Sequence, residues 1–300
     1  MGVGMNATLP AGSLSLVIPA YNEAAVIAQA IAEAEASLSG RFHEFEILVI
    51  DDGSFDNTAG VYQKLRDTAP HTRLIRHGFN KGYGAALRTG FEAARFPLIA
   101  FTDADCQFEL TELSTLAALA DEYPIVAGYR LDRKDPLKRR FFSWGYNRMA
   151  RTLLGTRVRD VDCALKVFRR EALAKLLPES RGFFVNTEMM TRARQLGFPV
   201  IEIPVTHRPR ASGESKVSLL EIPKTATRLL RFWWSNVVFG PTPVPVSPTV
   251  IQTRVAVPAR VSASRQVDLP TGARERVADP LPSSESALPV ERRERRQEAA

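Results

Sequence analysis

Residues Leu14–Ala24 read LSLVIPAYNEA: an apolar run rich in Leu, Val and Ile that stops at a polar triplet, Tyr21, Asn22 and Glu23. Such a run suits a strand buried on both faces, and the stretch behind it, Glu23 to Leu38, carries apolar residues at helical spacing. The same unit returns along the chain. FEILVID, TRLIRH, PLIAFTD and YPIVAGY read as strands bounded by turn residues, with amphipathic stretches at Asn57 to Thr68, Gly82 to Ala94 and Glu109 to Glu122. Strands alternating with helices predict an α/β fold with a mostly parallel central sheet flanked by helices. Ligand crevices in such sheets open beyond the carboxyl ends of the strands, where YNE, DDGS and DADCQ all fall.

Further along, Arg130 to Arg159 is strongly basic and contains a helical pattern, RRFFSWGYNRMARTLLG. A strand-like CALKVFRR follows, then a helix from about Asn186 to Leu196, a strand in FPVIEIPVTHR, the loop RPRASGESK and a last helix near Leu219 to Phe239. After Gly240 the chain turns Pro-rich, holding nearly half of its 20 prolines and ending in ERRERRQEAA, a composition that does not form a core. The expected organisation is a flexible N-terminus over 1–12, a folded α/β domain over 13–216, an amphipathic helix over 217–240 suited to a membrane interface, and a disordered Pro/Arg-rich tail over 241–300.

Composition narrows the classes. The chain has 300 residues, 45% hydrophobic and 24% charged, which suffices for a sizeable core. A net charge of +7 favours anionic partners without choosing among them. Cys106 and Cys163 are far apart and match neither a disulfide framework nor a zinc site, which fits a reducing compartment. MGVGMNATLPAGS lacks the pattern of a secretory leader, and no apolar run reaches the length of a membrane span. The expected location is cytoplasmic, peripheral on the cytoplasmic face of a membrane.

The three polar clusters carry the chemistry. In extended chain, side chains two apart share a side, so Asp103 and Asp105 converge, with Gln107 nearby. Their repulsion is relieved if they hold a hard divalent cation, Mg²⁺ or Mn²⁺, completed by substrate phosphates. Asn22 fits a helix N-cap and Glu23 a favourable place at a helix start, or Tyr21 and Glu23 line a base or ribose pocket. Asp52-Gly53 reads as a turn and Asp56 or Asn57 as the cap of the second helix, or an acidic side chain of the Asp51–Asp52 pair accepts hydrogen bonds from a nucleobase. NKGYGAALRTG has neither the Walker spacing nor the Rossmann glycine triplet and makes a weak phosphate cradle.

IPAYNE, VIDDGSFDNT, NKGYGAALRTG, TDADCQ, GYR, DVDCALKVFRR and RASGESK stand in the order seen in family 2 glycosyltransferases, and the chain resembles the dolichol-phosphate mannosyltransferase branch over roughly Leu14 to Val238. The resemblance implies the A-type glycosyltransferase fold and nucleotide contacts from Pro19, Tyr21, Glu23, the Ile50 backbone and Asp52. It implies metal and diphosphate binding by Asp103, Ala104, Asp105 and Gln107, and phosphate contacts from Arg130, Arg210 and Lys216. Asp105, Arg130, Arg210 and Lys216 are the implied catalytic groups. The implied reaction is inverting, metal-dependent transfer of a hexose from a nucleotide sugar to a polyprenyl or dolichyl phosphate. GDP-mannose is the first donor and UDP-glucose the second. Many relatives carry membrane-spanning helices where this chain has its Pro-rich tail, so attachment falls to other elements or to a membrane-anchored partner.

Other readings stay open on the sequence. Transfer to a glycan or other hydroxyl needs a general base, for which Glu188 or Asp162 is the candidate. Glu188 could instead contact the sugar or simply favour a helix start, and His207 reads as structural. The aromatics Phe232, Trp233 and Trp234 suit a membrane interface or a core. A nucleic-acid-binding protein is disfavoured, because acidic strand ends repel a polyanion; a scaffold acting through the tail is the remaining alternative.

Overall fold

Seven apolar runs pair into one sheet: β1 (Leu14–Ala20), β2 (Phe45–Asp51), β3 (Thr72–Arg76), β4 (Leu98–Phe101), β5 (Ile125–Arg130), β6 (Lys166–Arg169) and β7 (Val200–Val205). The computed structural model describes residues 12–131, 137–209, 227 and 229–235, with backbone only for 137–142. Arg210, Lys216 and the rest of the RASGESK loop, most of the 217–240 helix, the 241–300 tail and the segment before Gly12 lie outside the described residues.

The strand order is β3-β2-β1-β4-β6-β5-β7. β6 runs antiparallel to both its neighbours and every other pairing is parallel, as the apolar runs predict. β1 and β2 are buried along their whole length, in register Pro19 to Ile50. Helices cover the sheet: α1 (Ile27–Leu38), α2 (Thr58–Leu65), α3 (Tyr83–Ala93), α4 (Leu113–Leu119, after a 3₁₀ turn at Leu110–Glu112), α5 (Leu137–Leu154), α6 (Arg170–Leu176) and α7 (Val185–Gln195). In α1 the residues Ile27, Ala30, Ile31, Ala34 and Leu38 make one apolar face, and that face is buried.

Two local expectations change. α1 begins four residues after Glu23, and Asn22 is not its cap. Asn22 takes a left-handed conformation (φ 53°), which Asn tolerates better than most residues, and turns the chain out of β1. CALKVFRR is a strand only over its second half and passes directly into α6, whose Ala172, Leu173 and Leu176 are buried.

The chain leaves β1 for β2 on one side, and after β3 it returns to β4 on the other. The crevice at the carboxyl ends of β1 and β4 is therefore the topological switch point, where ligands of such sheets bind. A smaller cluster forms away from the main core: Leu229 of the C-terminal helical residues is buried with Ala150, Leu154 and Phe184, and Phe232 and Trp233 pack against it. Phe232 and Trp233 are thus packing residues, while Leu230 and Trp234 remain exposed. No helix among the described residues is long and apolar enough to cross a membrane.

At the opposite end of the sheet, Glu46 is fully buried beside Ser15, its partner in the β1–β2 register. It accepts hydrogen bonds from Ser15 Oγ (2.7 Å), Arg95 N (2.7 Å), Arg95 Nε (2.9 Å) and Arg73 (3.1 and 2.8 Å). Burial alone would raise this carboxyl, but the Ser15, Arg95 and Arg73 donors outweigh it and hold it below its ordinary value. Glu46→Ala strands the Ser15 hydroxyl proton and leaves the Arg95 amide only its longer bond to Ser15 Oγ (3.2 Å). The two arginines are partly solvated, so their share is discounted, and urea denaturation should show a loss of about 2–4 kcal/mol.

Candidate active site

The first two polar loops are stitched to each other. Asn22 N donates to Ser54 Oγ (2.8 Å) while Asn22 Oδ1 accepts from Phe55 N (3.0 Å). Glu23 N donates to Thr58 Oγ1 (2.9 Å) and Ala24 N to Asp56 Oδ2 (3.0 Å). Asp56 also accepts from the Thr58 amide at the start of α2 (3.0 Å), so it serves the helix start that Asn57 does not. Tyr21 meets the strongly exposed Phe55 edge to face at 6.1 Å. Tyr21 and Glu23 therefore stand on a loop beyond β1 beside Phe55, while Pro19 and Ile50 are buried register partners at the ends of β1 and β2.

Asp52 has a different role from the expected contact to a nucleobase. It is buried, and its carboxylate accepts from His77 Nδ1 (2.7 Å), Lys81 N (2.9 Å) and Gly82 N (2.8 Å). It is a clamp that ties the end of β2 to the start of α3. Asp51 is likewise engaged, accepting from Ser54 N (2.9 Å) and facing Arg76 Nε (3.1 Å). The amides at the start of α3 are spent inside the fold: Gly82 N on Asp52 and Gly84 N on Arg181 O (2.8 Å). NKGYGAALRTG is thus a packing hub and not a phosphate cradle. A Cβ on Gly84 would stand 1.9 Å from Ser180 O, so only glycine fits.

Tyr83 carries the hub to the third cluster. Its hydroxyl donates to Asp103 Oδ1 (2.8 Å) and its ring stacks on Phe183 at 5.3 Å. Burial first, then Asp103, Asp105 and Asp162, push the Tyr83 phenol well above its ordinary value, so it stays protonated and donates. Asp103 and Asp105 do not converge by strand alternation: β4 ends at Phe101 and the pair sits on a turn, with Cys106 left-handed at φ 56°. Asp105 is buried and its Oδ1 accepts from Gln107 N (3.3 Å). Gln107, expected as a neutral metal ligand, crosses to the chain after β7, donating from Nε2 to Arg208 O (3.3 Å) and accepting from Arg208 N on its backbone carbonyl (2.7 Å), neither bond using its side-chain oxygen. Burial, with Glu33 and Asp105 adding, pushes the Cys106 thiol up to about 12, so it is no nucleophile. Ala104 is buried within the turn.

Arg130, expected to contact phosphate, is held in an ion pair. Its guanidinium forms a two-pronged pair with Asp160, Nε to Oδ2 at 2.7 Å and Nη2 to Oδ1 at 2.8 Å, with both side chains buried. Burial disfavours its charge, but the Asp160 carboxylate more than compensates and holds it above its ordinary value. Such a pair fixes β5 to the turn before β6. Glu188 is buried as well, accepting from Glu179 N (2.9 Å) and Ser180 N (2.8 Å) with Arg192 at 3.2 Å. It secures the loop that lies on Gly82 and Gly84, so it is neither a base nor a sugar contact. His207 is structural, buried and edge-on to Phe108 at 5.7 Å.

For a divalent cation the donor set fits in kind. Asp103 and Asp105 supply hard carboxylate oxygens on one turn at the switch point, the number used when phosphates complete the shell. Among the described residues no group of three or more acids, histidines or cysteines could hold a metal without such help. The sequence reading missed Lys166 and Glu202, buried charges on β6 and β7. A charged residue inside an otherwise apolar strand was the available signal.

The profile of Glycosyl transferase family 2 matches residues 15–177, more than half of the chain. Glycosyltransferase AglD of Haloferax volcanii is 33% identical over 245 residues, which are 77% of this chain and 39% of that protein. Undecaprenyl-phosphate 4-deoxy-4-formamido-L-arabinose transferase of Klebsiella pneumoniae is 32% identical over 217 residues, 71% of this chain and 65% of that protein. The chain thus spans less than two thirds of either relative. Glucosyl-3-phosphoglycerate synthase from Mycobacterium tuberculosis, solved with UDP, superposes with a TM-score of 0.56 at 19% identity, covering 80% of this chain and 85% of that one. Its complex with Mn²⁺, UDP and glucosyl-3-phosphoglycerate gives 0.54 at 20% identity over 74% of this chain and 79% of that one. At these identities the likeness establishes the fold, the A-type arrangement expected from the sequence.

Burial pushes the Glu202 carboxyl up to about 7 from an ordinary 4.5, against the opposing pull of the Arg159 and Asp160 amides. An acid raised on folding stabilises the protein below its unfolded value and loses that contribution as pH rises through the folded one. Between pH 4.5 and 7 the wild type should therefore lose about 3 kcal/mol relative to Glu202→Gln, read as the difference of two denaturation series over pH.

Proposed function

The chain belongs to glycosyl transferase family 2, and from that premise we propose that it transfers a hexose from a nucleoside diphosphate sugar to a polyprenyl phosphate. The observation that carries the reading is the placement of Asp103 and Asp105 at the switch point, beside the rim formed by Tyr21, Glu23 and Phe55. The undecaprenyl-phosphate relative supports the acceptor class. GDP-mannose is the first donor, from the likeness to the dolichol-phosphate mannosyltransferase branch, and UDP-glucose the second.

Asp103 and Asp105 would hold Mg²⁺ or Mn²⁺, which neutralises charge on a departing diphosphate. Tyr83 keeps Asp103 in place through its hydroxyl, and Asp52 and Glu188 keep Tyr83 in place through the loops they clamp. Pro19, Tyr21, Glu23 and Ile50 face the nucleoside. An acceptor phosphate oxygen attacks the anomeric carbon as the bond from that carbon to the diphosphate breaks, and the leaving oxygen takes the electron pair. One displacement gives inversion. The acceptor is already an anion at neutral pH, so no base is required, which accords with Glu188 being committed to Glu179 and Ser180. With Arg130 paired, Arg210 and Lys216 are the cations left by the resemblance to draw the two anionic substrates together.

Purified protein with MnCl₂ and either donor should label polyprenyl phosphate and leave the dephosphorylated polyprenol untouched. Asp103→Ala and Asp105→Ala should each lower the rate on the order of 10²-fold or more, with circular dichroism unchanged. Labelling of the alcohol, or full activity in both variants, would refute the reading.

The acceptor is lipid-borne, and we place the exposed Leu230 and Trp234 of the C-terminal helical residues, with Trp144 on α5, at a cytoplasmic membrane surface. The double variant Leu230→Ser, Trp234→Ser should bind anionic phosphatidylglycerol vesicles on the order of a hundredfold more weakly than wild type in co-sedimentation, because about 1.5–3 kcal/mol per buried apolar side chain is lost. Equal co-sedimentation would remove these residues from the contact.

A further inference from the structure

β4 leaves the sheet at Phe101 directly across from Lys166, the first residue of β6. The Asp103–Asp105 turn and the turn before β6, Arg159 to Cys163, therefore emerge side by side. Within the second turn Asp160, Val161 and Cys163 are buried, while Asp162 is half-buried. Asp162 therefore leaves the sheet edge beside Asp103, which Tyr83 holds through its hydroxyl (2.8 Å).

This turn is held from four separate elements. Glu202 on β7 takes the Arg159 amide on both carboxylate oxygens, at 2.8 and 2.9 Å. Arg130 on β5 pairs with Asp160. Asn147 on α5 accepts from Val161 N through Oδ1 (2.9 Å) and is itself steadied by Nδ2 donating to Ser143 O (2.9 Å). Lys166 on β6 donates from Nζ to the carbonyls of Val161 (3.0 Å) and Cys163, the two residues that flank Asp162. Lys166 is 1% exposed and Glu202 4%. Burying ions at such places is costly, and apolar residues of similar size often hold a fold as well or better. What the ions add is placement: each binds a backbone group that an apolar side chain would leave unsatisfied.

We propose that Lys166 and Glu202 are positioning residues, which fix the Arg159–Cys163 turn so that Asp162 stands in one cleft with Asp103 and Asp105. The glycosyl-transfer reading is needed for the kinetic arm of the test below and not for the structural arm.

The test uses the full chain with Lys166→Met, Lys166→Arg, Glu202→Leu and Asp162→Asn. Hydrogen exchange followed by mass spectrometry should show the amides of 159–163 exchanging about tenfold faster or more in Lys166→Met and Glu202→Leu, with β1 and β2 unchanged. Lys166→Arg should restore most of the protection, and Asp162→Asn should exchange like wild type. In the transfer assay with GDP-mannose or UDP-glucose and MnCl₂, Lys166→Met, Glu202→Leu and Asp162→Asn should each lower kcat about tenfold or more while the donor KM stays within about twofold. Unchanged exchange at 159–163 in both turn variants overturns the proposal, as does faster exchange spread evenly over the chain. A loosened turn with wild-type kcat overturns it too. Should Lys166→Met fail to fold, Glu202→Leu carries the same comparison. A wild type that transfers no sugar from either donor defeats the glycosyl-transfer reading, and exchange at 159–163 still decides the positioning claim.

Discussion

A carboxylate or guanidinium that leaves water must find its partners inside the chain, and that requirement organises this fold. Glu46, Asp52, Asp160, Glu188 and Glu202 are all buried, and each grips a backbone amide, a cation or both. Acids so committed act as fasteners between segments remote in sequence. Asp103, Asp105 and Asp162 differ in their setting, since they stand on two neighbouring turns at the carboxyl edge of the sheet, with Asp103 bonded to Tyr83. Uncompensated, such a gathering is repulsive, which is the physical reason to expect cationic matter there when the site is at work.

The fasteners are linked to the cleft through α3. Asp52 draws the start of α3 to β2, and Glu188 holds the loop whose Arg181 carbonyl caps the Gly84 amide. Between those two attachments sits Tyr83, bonded to Asp103 and stacked on Phe183. The glycines of this segment are required by contact: Gly82 and Gly84 lie against Arg181 and Ser180 too closely for any Cβ. Disturbance of Asp52 or Glu188 therefore reaches Asp103 through a short chain of bonds.

The other half of the cleft is built by the reversed strand. Because β6 runs against β4 and β5, the turn that precedes it points to the same edge as the loops that follow them. One antiparallel strand thus adds a second acidic turn to a rim that a wholly parallel sheet would furnish only with strand-following loops. Arg130, Asn147, Lys166 and Glu202 then hold that turn.

The seven strands, the parallel majority and the position of Asp103 and Asp105 beyond a strand were legible because hydrophobic period and turn residues are local signals. The loop of Tyr21 to Glu23 was placed correctly for the same reason, although Asn22 turned out to join two loops and not to cap α1. Roles that depend on partnership were not legible. Asp52 meets Gly82 across 30 residues, Arg130 meets Asp160 across 30, and Glu202 meets Arg159 across 43. Nothing in a local pattern distinguishes a carboxylate that will bind a substrate from one that will bind its own backbone. The sequence by itself determined which segments become strands and helices and where acids stand along them. Only the tertiary structure decided which charges are consumed by the fold and which face the cleft, because that depends on distances between residues the chain keeps far apart.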